Sequence, residues 1–294
     1  MNGTLVSSGG RSVLRFERSL PHGPEKVWRA ITEAQELAGW FPARIEGERK
    51  VGAPLRFVDE GGETFGEVLE CEEPRLFSFS WGDSVLRFEL QAEAAGCLLI
   101  FTHTFDERPF AASFATGWHK CLDGLGGVLE GRPAVMPGQA ETAGTRWYRA
   151  RHEAYVEIFG LLRGNVADGA VRFERLLPYP RDRVWEVLTG GEAVVVGEQV
   201  PAPSCSAASP AGHLIEVAEP ETLAYESASG AVRWKLVPGP GGTLITLTHS
   251  TADSAEALVA WHRRIESLAD ELTGLALGGT PESALHELYD SRSE

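Results

Sequence analysis

The sequence predicts an α+β protein made of two similar halves, each an antiparallel sheet followed by a long helix. Residues 13–32 return as residues 170–189, with Arg-Phe-Glu-Arg, Leu-Pro, Val-Trp and Thr at the same spacing. Short alternating apolar segments separated by turn residues follow in each half, which is typical of an antiparallel meander. An apolar stripe of helical spacing then closes each half. Because the repeat is as long as a domain, we expect two domains, 1–165 and 166–294.

Two further pairs of segments support a tandem duplication. Residues 66–105 correspond to 212–251 without a gap, and residues 117–131 correspond to 260–274. The second pair carries the apolar stripe of the long helix in both halves. The repeat therefore predicts the same order of strands and helix twice.

The two copies are unequal in one place. Residues 33–65 of the first copy stand where the second has only the shorter segment 190–211, which is rich in Pro, Ser and Ala. The strand predicted at 53–59 has no convincing counterpart there. We therefore expect the second domain to be a trimmed, degenerate copy with a structural or regulatory role.

The elements of the first copy follow from local patterns. Residues 13–20 alternate as a strand, Pro21 and Pro24 end it, and the next segment reads as a helix or helix pair. Gly-Gly, Glu-Pro and Gly-Asp turn signals separate the strands that follow. These strands are predicted near 53–59, 64–72, 76–81, 85–92 and 97–105. A long helix at 110–129, a Pro/Gly/Ala linker at 132–144 and a helix at 145–162 complete the copy.

Composition and charge exclude several classes of protein. A net charge of −15 argues against nucleic-acid or anionic-membrane partners, which require a basic surface. No apolar run is long enough to cross a membrane, and no signal peptide is visible at the start. The four cysteines are scattered without paired spacing, as expected for reduced thiols. We therefore expect a cytoplasmic protein.

Several motifs of the first half resemble one known superfamily. They are LRFERSLPHGPEKVWRAITEAQELAGWFPA, GEVLECEEPRLFSFSW, FTHTF and GWHKCLDGLGGVLEG. In this order they resemble the SRPBCC (START-like) superfamily, in the branch similar to the C-terminal domain of the activator of heat-shock protein 90 ATPase. The second half resembles it more weakly. The resemblance implies two helix-grip domains, each a curved antiparallel sheet wrapped around a long C-terminal helix, often with an apolar cavity between them.

The resemblance implies several functions rather than one. Relatives bind lipids, sterols, polyketides or hormones, and some act as cyclases or co-chaperones. The Asn-Asn-Trp-His-Trp segment of the co-chaperone activators has no match in this sequence. Since a fold alone does not determine function, the function has to be inferred from the residues of the site.

Strand alternation predicts that His103 points inward. Leu99, Phe101 and His103 share one face of their strand, and Thr102 and Thr104 share the other. The second copy repeats this pattern around its own histidine. An inward histidine is either a ligand-orienting or acid–base group, or a core residue bonded to a neighbour.

Trp118 and His119 lie together on the long helix of the first copy. Trp118 falls within the apolar stripe, and His119 lies one step away at the edge of the stripe. The pair can either fill the core or line a cavity, because the same face of the helix would serve both roles.

The first copy is dense in aromatic residues, whereas the second has lost several of them. An aromatic lining with few polar groups suits an apolar ligand. The predicted ligand-binding residues are Trp40, Phe41, Phe57, Phe65, Phe79, Trp81, Phe88, His103, Trp118 and His119.

The sequence accordingly predicts non-catalytic binding of a small hydrophobic molecule in the N-terminal domain. Familiar nucleophile, zinc, phosphate and dinucleotide motifs are missing, so no catalytic residue, metal or cofactor is predicted. One alternative is a cyclase-like or hydrolase-like enzyme that uses His103 or His119. A second alternative is a co-chaperone-like module for protein interaction.

Overall fold

The computed structural model describes residues 3–132, 145–274 and 279–290. The chain divides into two compact units, Met1–Tyr155 and Val156–Glu294. The linker predicted at 132–144 lies, apart from Arg132, outside the described residues. The predicted domains, 1–165 and 166–294, stay a prediction.

The first unit contains an eight-stranded antiparallel sheet and its helices. Its strands are β1 (Thr4–Ser8), β2 (Arg11–Leu20), β3 (Arg44–Glu46), β4 (Pro54–Asp59), β5 (Gly62–Glu72), β6 (Leu76–Trp81), β7 (Ser84–Glu93) and β8 (Gly96–Phe105). Its helices are α1 (Pro24–Thr32), α2 (Ala34–Leu37), α3 (Ala111–Leu129) and α4 (Arg146–Ile158), and α4 crosses the boundary between the units. The strands are ordered β1-β2-β8-β7-β6-β5-β4-β3.

Alternating residues and one helix stripe build the core of this unit. In β2, Leu14 and Phe16 are buried, while Arg15 and Glu17 are exposed. Helix α3 turns its apolar stripe to the sheet, and the ring of Trp118 lies against Phe101 of β8. The α+β fold expected from the sequence is therefore present, with the long helix packed on an antiparallel sheet.

The second unit has a six-stranded antiparallel sheet. Its strands are β9 (Asn165–Ala167), β10 (Ala170–Leu177), β11 (His213–Ala218), β12 (Thr222–Ser227), β13 (Gly230–Gly239) and β14 (Gly242–Ser250). Its helices are α5 (Arg181–Thr189), α6 (Ser254–Thr273) and α7 (Glu282–Asp290). The strands are ordered β11-β12-β13-β14-β10-β9.

Helix α6 has well-defined ends that follow from the sequence. The Asp253 carboxylate caps its first turn by accepting a hydrogen bond from the Glu256 amide at 3.1 Å. Gly274 ends it in the left-handed conformation, at φ 63°, which a residue without a side chain adopts without strain. These signals fix the length of the helix that covers the second sheet.

The two sheets differ at one edge. In the first unit β5 pairs with β4, which in turn pairs with β3. In the second unit, the fully described segment 190–212 contains a short 3-10 turn and isolated bridges but no strand. The second sheet therefore ends at β11 and lacks counterparts of β3 and β4. This is the region in which the sequence predicted that the second copy is shorter. No helix among the described residues is long and apolar enough to cross a membrane.

Candidate functional site

The predicted aromatic residues of the first unit form one connected cluster. The rings of Phe57 and Trp81 stack with centroids 5.0 Å apart, and Phe57 also stacks on Phe79 at 5.6 Å. Phe79 in turn lies 6.2 Å from Phe88. Strand alternation causes this arrangement, because these positions of β4, β6 and β7 all face the same side of the sheet.

Residues directly after α2 join the strands to the long helix. The Trp40 indole is fully buried and donates a hydrogen bond to the Ala30 carbonyl at 2.9 Å. The ring of Phe41 lies 5.5 Å from that of Trp81 and 5.7 Å from that of Trp118. The segment after the helix pair therefore packs between the strands and α3 and contacts the aromatic rings of both. The described residues of the second unit contain no equivalent of Trp40 and Phe41.

The cluster extends from the buried interior to partly exposed rings. Trp81, at the end of β6, is half-buried, as are Phe110 and Phe114 at the start of α3. The Phe114 ring lies edge-on to the His103 ring at 4.7 Å. An apolar surface is therefore continuous from the core to these three rings.

Phe65 does not join the cluster, and its predicted placement is corrected. Its residue surface is 65% exposed. Alternation along β5 explains this, since Thr64 and Val68 turn toward the interior while Phe65 shares the outer face with Glu63 and Glu67. The charged neighbours of Phe65 in the sequence are the signal that indicates its outward direction.

His103 lies beside Phe114 on this surface and has a defined tautomer. Its residue is only 4% exposed, and burial lowers its pKa from 6.5 to about 3, with the Arg11 charge acting in the same direction. The Trp118 indole N–H donates to His103 Nδ1 at 3.0 Å. Because an indole nitrogen is only a donor, Nδ1 is the acceptor and the proton of the neutral ring is on Nε2.

His119 belongs to a different group of residues. The hydroxyl of Tyr155 lies 3.0 Å from His119 Nδ1 and accepts a hydrogen bond from the Gly3 amide at 3.3 Å. His119 Nε2 lies 3.6 Å from the Asp123 carboxylate. Burial lowers the pKa of His119, and Asp123 opposes this effect. Of the two candidate polar residues, only His103 contacts the aromatic cluster.

Sequence reasoning missed Phe101, Phe114 and Tyr155. Phe101 bridges Phe88 at 4.7 Å and Trp118 at 4.6 Å. Its position on the same strand face as His103 was the signal for it. Tyr155 had a signal in the repeat, because ARHEAY in the first copy matches ALHELY in the second.

The second unit surrounds its equivalent histidine with hydroxyl groups. The Trp261 indole donates to His249 Nδ1 at 3.0 Å, and Ser229 Oγ lies 3.3 Å from His249 Nε2. Ser227 lies at the position equivalent to Trp81, and its hydroxyl lies 2.9 Å from those of Ser229 and Ser209. A hydrogen-bonded serine group therefore replaces the stacked rings of the first unit.

No group of three or more His, Cys, Asp or Glu residues within the described parts of the chain is placed to hold a metal ion. Instead, His103 bonds to Trp118, and His119 to Tyr155.

Comparisons with solved structures give several similar chains. CalU16 from Micromonospora echinospora is 23% identical, covering 53% of this chain and 94% of CalU16, with a TM-score of 0.43. EF2215 from Enterococcus faecalis, a conserved protein of unknown function, is 21% identical, covering 53% of this chain and 88% of its own, with a TM-score of 0.44. The Aha1 dimer from Colwellia psychrerythraea is 23% identical, and the match covers 40% of this chain and 96% of the Aha1 chain, with a TM-score of 0.37.

No curated protein matches the chain. Among protein families, the match is to the model described as Activator of Hsp90 ATPase homolog 1-like protein, and it extends over residues 21–130. This region runs from the end of β2 to the end of α3 and contains the whole aromatic cluster. The resemblance indicated by the sequence motifs is therefore confirmed: residues 21–130 are similar to the activator of Hsp90 ATPase homolog 1-like family.

Proposed function

We propose that the first unit binds a small hydrophobic molecule against its aromatic cluster. The observation that supports this most is the continuity of the rings from buried Trp40 to half-buried Trp81 and Phe114. Large apolar surfaces that approach solvent near a single polar group are typical of ligand sites. The second unit has serine at the position of Trp81 and is proposed to have a structural or regulatory role.

The geometry favours binding over acid–base catalysis. With a pKa of about 3, His103 is neutral at physiological pH, so an imidazolium acid is not available there. Its Nδ1 is occupied by the Trp118 N–H, so it is not free to accept a substrate proton. His119 is engaged by Tyr155 and lies apart from the cluster.

Three further features belong to the proposal. The acidic net charge of −15 supports a protein without nucleic-acid or membrane partners. The four cysteines are free, which supports a cytoplasmic location. Equivalent His–Trp and His–Tyr hydrogen bonds in the two units support an origin by tandem duplication.

Native mass spectrometry of the purified full chain tests the binding proposal. We expect the chain to carry, or to take up, a small aromatic molecule such as acetylnaphthalene at a one-to-one ratio. Trp81→Ser should weaken this binding because it removes a ring of the cluster. Phe65→Ser is the matched control, since it removes an exposed ring from the outer face. Equal effects of the two variants, or uptake by neither the parent chain nor its control, would refute the proposal.

A further inference from the structure

An exposed valine lies at the tip of the same kind of backbone turn in both units. Residues 50–53 form a four-residue turn closed by a hydrogen bond of 2.9 Å between the backbones of its ends, and residues 195–198 form another, closed at 3.1 Å. Val51 and Val196 occupy the second position of these turns, and the glycine that follows each has a positive φ of 79° or 93°. Each turn therefore requires its glycine, whereas neither requires an apolar residue before it.

Each turn is joined to the strand that carries a second exposed aliphatic residue. The glycine amide of the turn donates to the carbonyl of Val68 in β5 or of Leu214 in β11, at 2.8 Å in both units. The next strand residue, Leu69 or Ile215, lies at a shift of the strand register. A bulge of this kind re-aims a side chain that regular alternation would place elsewhere. The turn and the bulge therefore bring a valine and a second aliphatic residue to adjacent positions, which we call the valine–bulge pair: Val51 with Leu69, and Val196 with Ile215.

Both valine–bulge pairs face solvent. The exposed fractions are 59% for Val51, 37% for Leu69, 57% for Val196 and 50% for Ile215. Single exposed apolar residues are common and need no explanation. Here, however, an exposed pair recurs at equivalent positions of two units whose connecting segments differ in length and composition. Packing of the core does not account for such a pair, whereas contact with another molecule does.

The charges beside the pairs indicate the kind of molecule. The exposed Glu67 and Glu198 flank the hydrogen bonds that join turn and strand, and no described residue forms an ion pair with either carboxylate. Arg87 and Arg233 already form ion pairs with the glutamate that follows the bulge residue, at 3.3 and 2.6 Å. Lys50 offsets part of the negative charge in the first unit. With a chain charge of −15, these surfaces favour a cationic partner and repel an anionic membrane or a second copy of the chain.

We propose that the valine–bulge pair of each unit is a docking surface for a segment of another protein in which an apolar side chain is flanked by lysine or arginine. The apolar side chain lies on the valine and the bulge residue, and the cation faces Glu67 or Glu198. Because Lys50 has no counterpart at Val195, the second unit binds such a segment more tightly. This inference is separate from the binding of a small molecule, since the pairs do not belong to the aromatic cluster.

A pair of synthetic peptides tests the chemistry of the partner. One alternates lysine and leucine, and the other alternates lysine and serine at the same length and charge. In amide NMR titrations of the full chain, the leucine peptide should shift the signals of Gly52, Leu69, Gly197 and Ile215 and bind at least roughly 5-fold more tightly, because only leucine buries apolar surface. Equal binding of the two peptides, no binding, or shifts that leave these four signals in place overturns the inference.

A double variant tests the surface itself. Val196→Ser combined with Ile215→Ser should weaken binding of the leucine peptide to the second unit roughly 5-fold. Val166→Ser is the matched control, since Val166 is 50% exposed on β9, at the opposite edge of the same sheet. All three side chains are exposed, so we expect every variant to fold. A control that weakens binding as much as the double variant overturns the inference.

Sedimentation of the full chain tests the alternative occupant, a second copy. We expect the parent chain and the double variant to have the same mass in solution. A dimer that the double variant no longer forms would assign the surface to a second copy and overturn the inference. Uptake of acetylnaphthalene should be equal in the two proteins, so failure of the docking inference leaves the small-molecule proposal intact, and the reverse also holds.

Discussion

At the residue scale, the hydrogen bond from Trp118 determines how His103 behaves. It fixes the ring as the neutral tautomer with its proton on Nε2, and burial keeps the ring neutral far below its ordinary pKa. A histidine of this kind keeps its proton on Nε2 and stays neutral at physiological pH. This property suits recognition of a ligand rather than acid–base chemistry.

The depressed pKa of His103 predicts a pH dependence of stability. The unfolded chain protonates this histidine below about pH 6.5, whereas the folded chain does so only near pH 3. Stability is therefore lost as the pH falls through this window, by about 1.4 kcal/mol per pH unit for one proton. Urea unfolding of His103→Gln between pH 6.5 and 4 should show a slope smaller by one proton. Replacement of the exposed His213 by Gln is the control, and equal slopes for both variants would contradict the prediction.

Trp118 is predicted to be a central contributor to stability. It is buried between α3 and the sheet, and it also supplies the donor for His103. Trp118→Ala should lower the free energy of unfolding by about 3–5 kcal/mol, the usual cost of removing a buried large aromatic ring. Trp147→Ala removes a partly exposed ring as a comparison. A loss below about 1 kcal/mol for Trp118→Ala would show that this ring does not pack as core.

At the element scale, one tyrosine ties the start of the chain to the long helix. Tyr155 of α4 accepts from the Gly3 amide and bonds to His119 of α3. In the second unit, Tyr289 of α7 accepts from Gly164 at 3.2 Å and lies 2.8 Å from His262. These contacts join the segment before the first strand to two helices. The histidines next to the tryptophans on the long helices therefore make the same hydrogen bond to a tyrosine hydroxyl in both units.

Removal of the tyrosine hydroxyl should loosen this connection in either unit. Tyr155→Phe leaves the Gly3 amide and His119 Nδ1 without their partner, and we expect a loss of about 1–2 kcal/mol in unfolding free energy. Tyr289→Phe should cost a similar amount. Hydrogen exchange of the Gly3 amide should accelerate only in the first variant. Unchanged stability and exchange would argue that the hydroxyl contacts are incidental.

The alternation and spacing of apolar residues predicted most strands and helices, because these elements depend on residues close together in the sequence. The strand expected near 97–105 is observed as β8, and alternation correctly turned His103 inward. The same rule, applied to Glu63, Phe65 and Glu67, would have placed Phe65 outside. The partners of the histidines were beyond prediction, because they depend on how each helix lies against its sheet. A strand residue such as His103 meets a helix residue such as Trp118 only after the whole unit has folded.

At the scale of the whole molecule, the two units share the order of six strands and differ at one edge of the sheet. The first has β3 and β4, and its aromatic cluster includes Phe57 of β4. The second replaces this edge with a loop and fills the equivalent interior with serine hydroxyls around His249. Shortening of this edge and replacement of Trp81 by serine therefore occur together, which is consistent with a single ligand site per chain.

The most direct test of this account is a backbone NMR titration of the full chain with acetylnaphthalene. Binding to the first unit predicts shifts of amide signals in β6, β8 and the first turns of α3, where Trp81, His103 and Phe114 lie. The equivalent signals of β12, β14 and α6 should stay in place. Shifts of similar size in the second unit, or no shifts in the first at saturating ketone, would contradict the account.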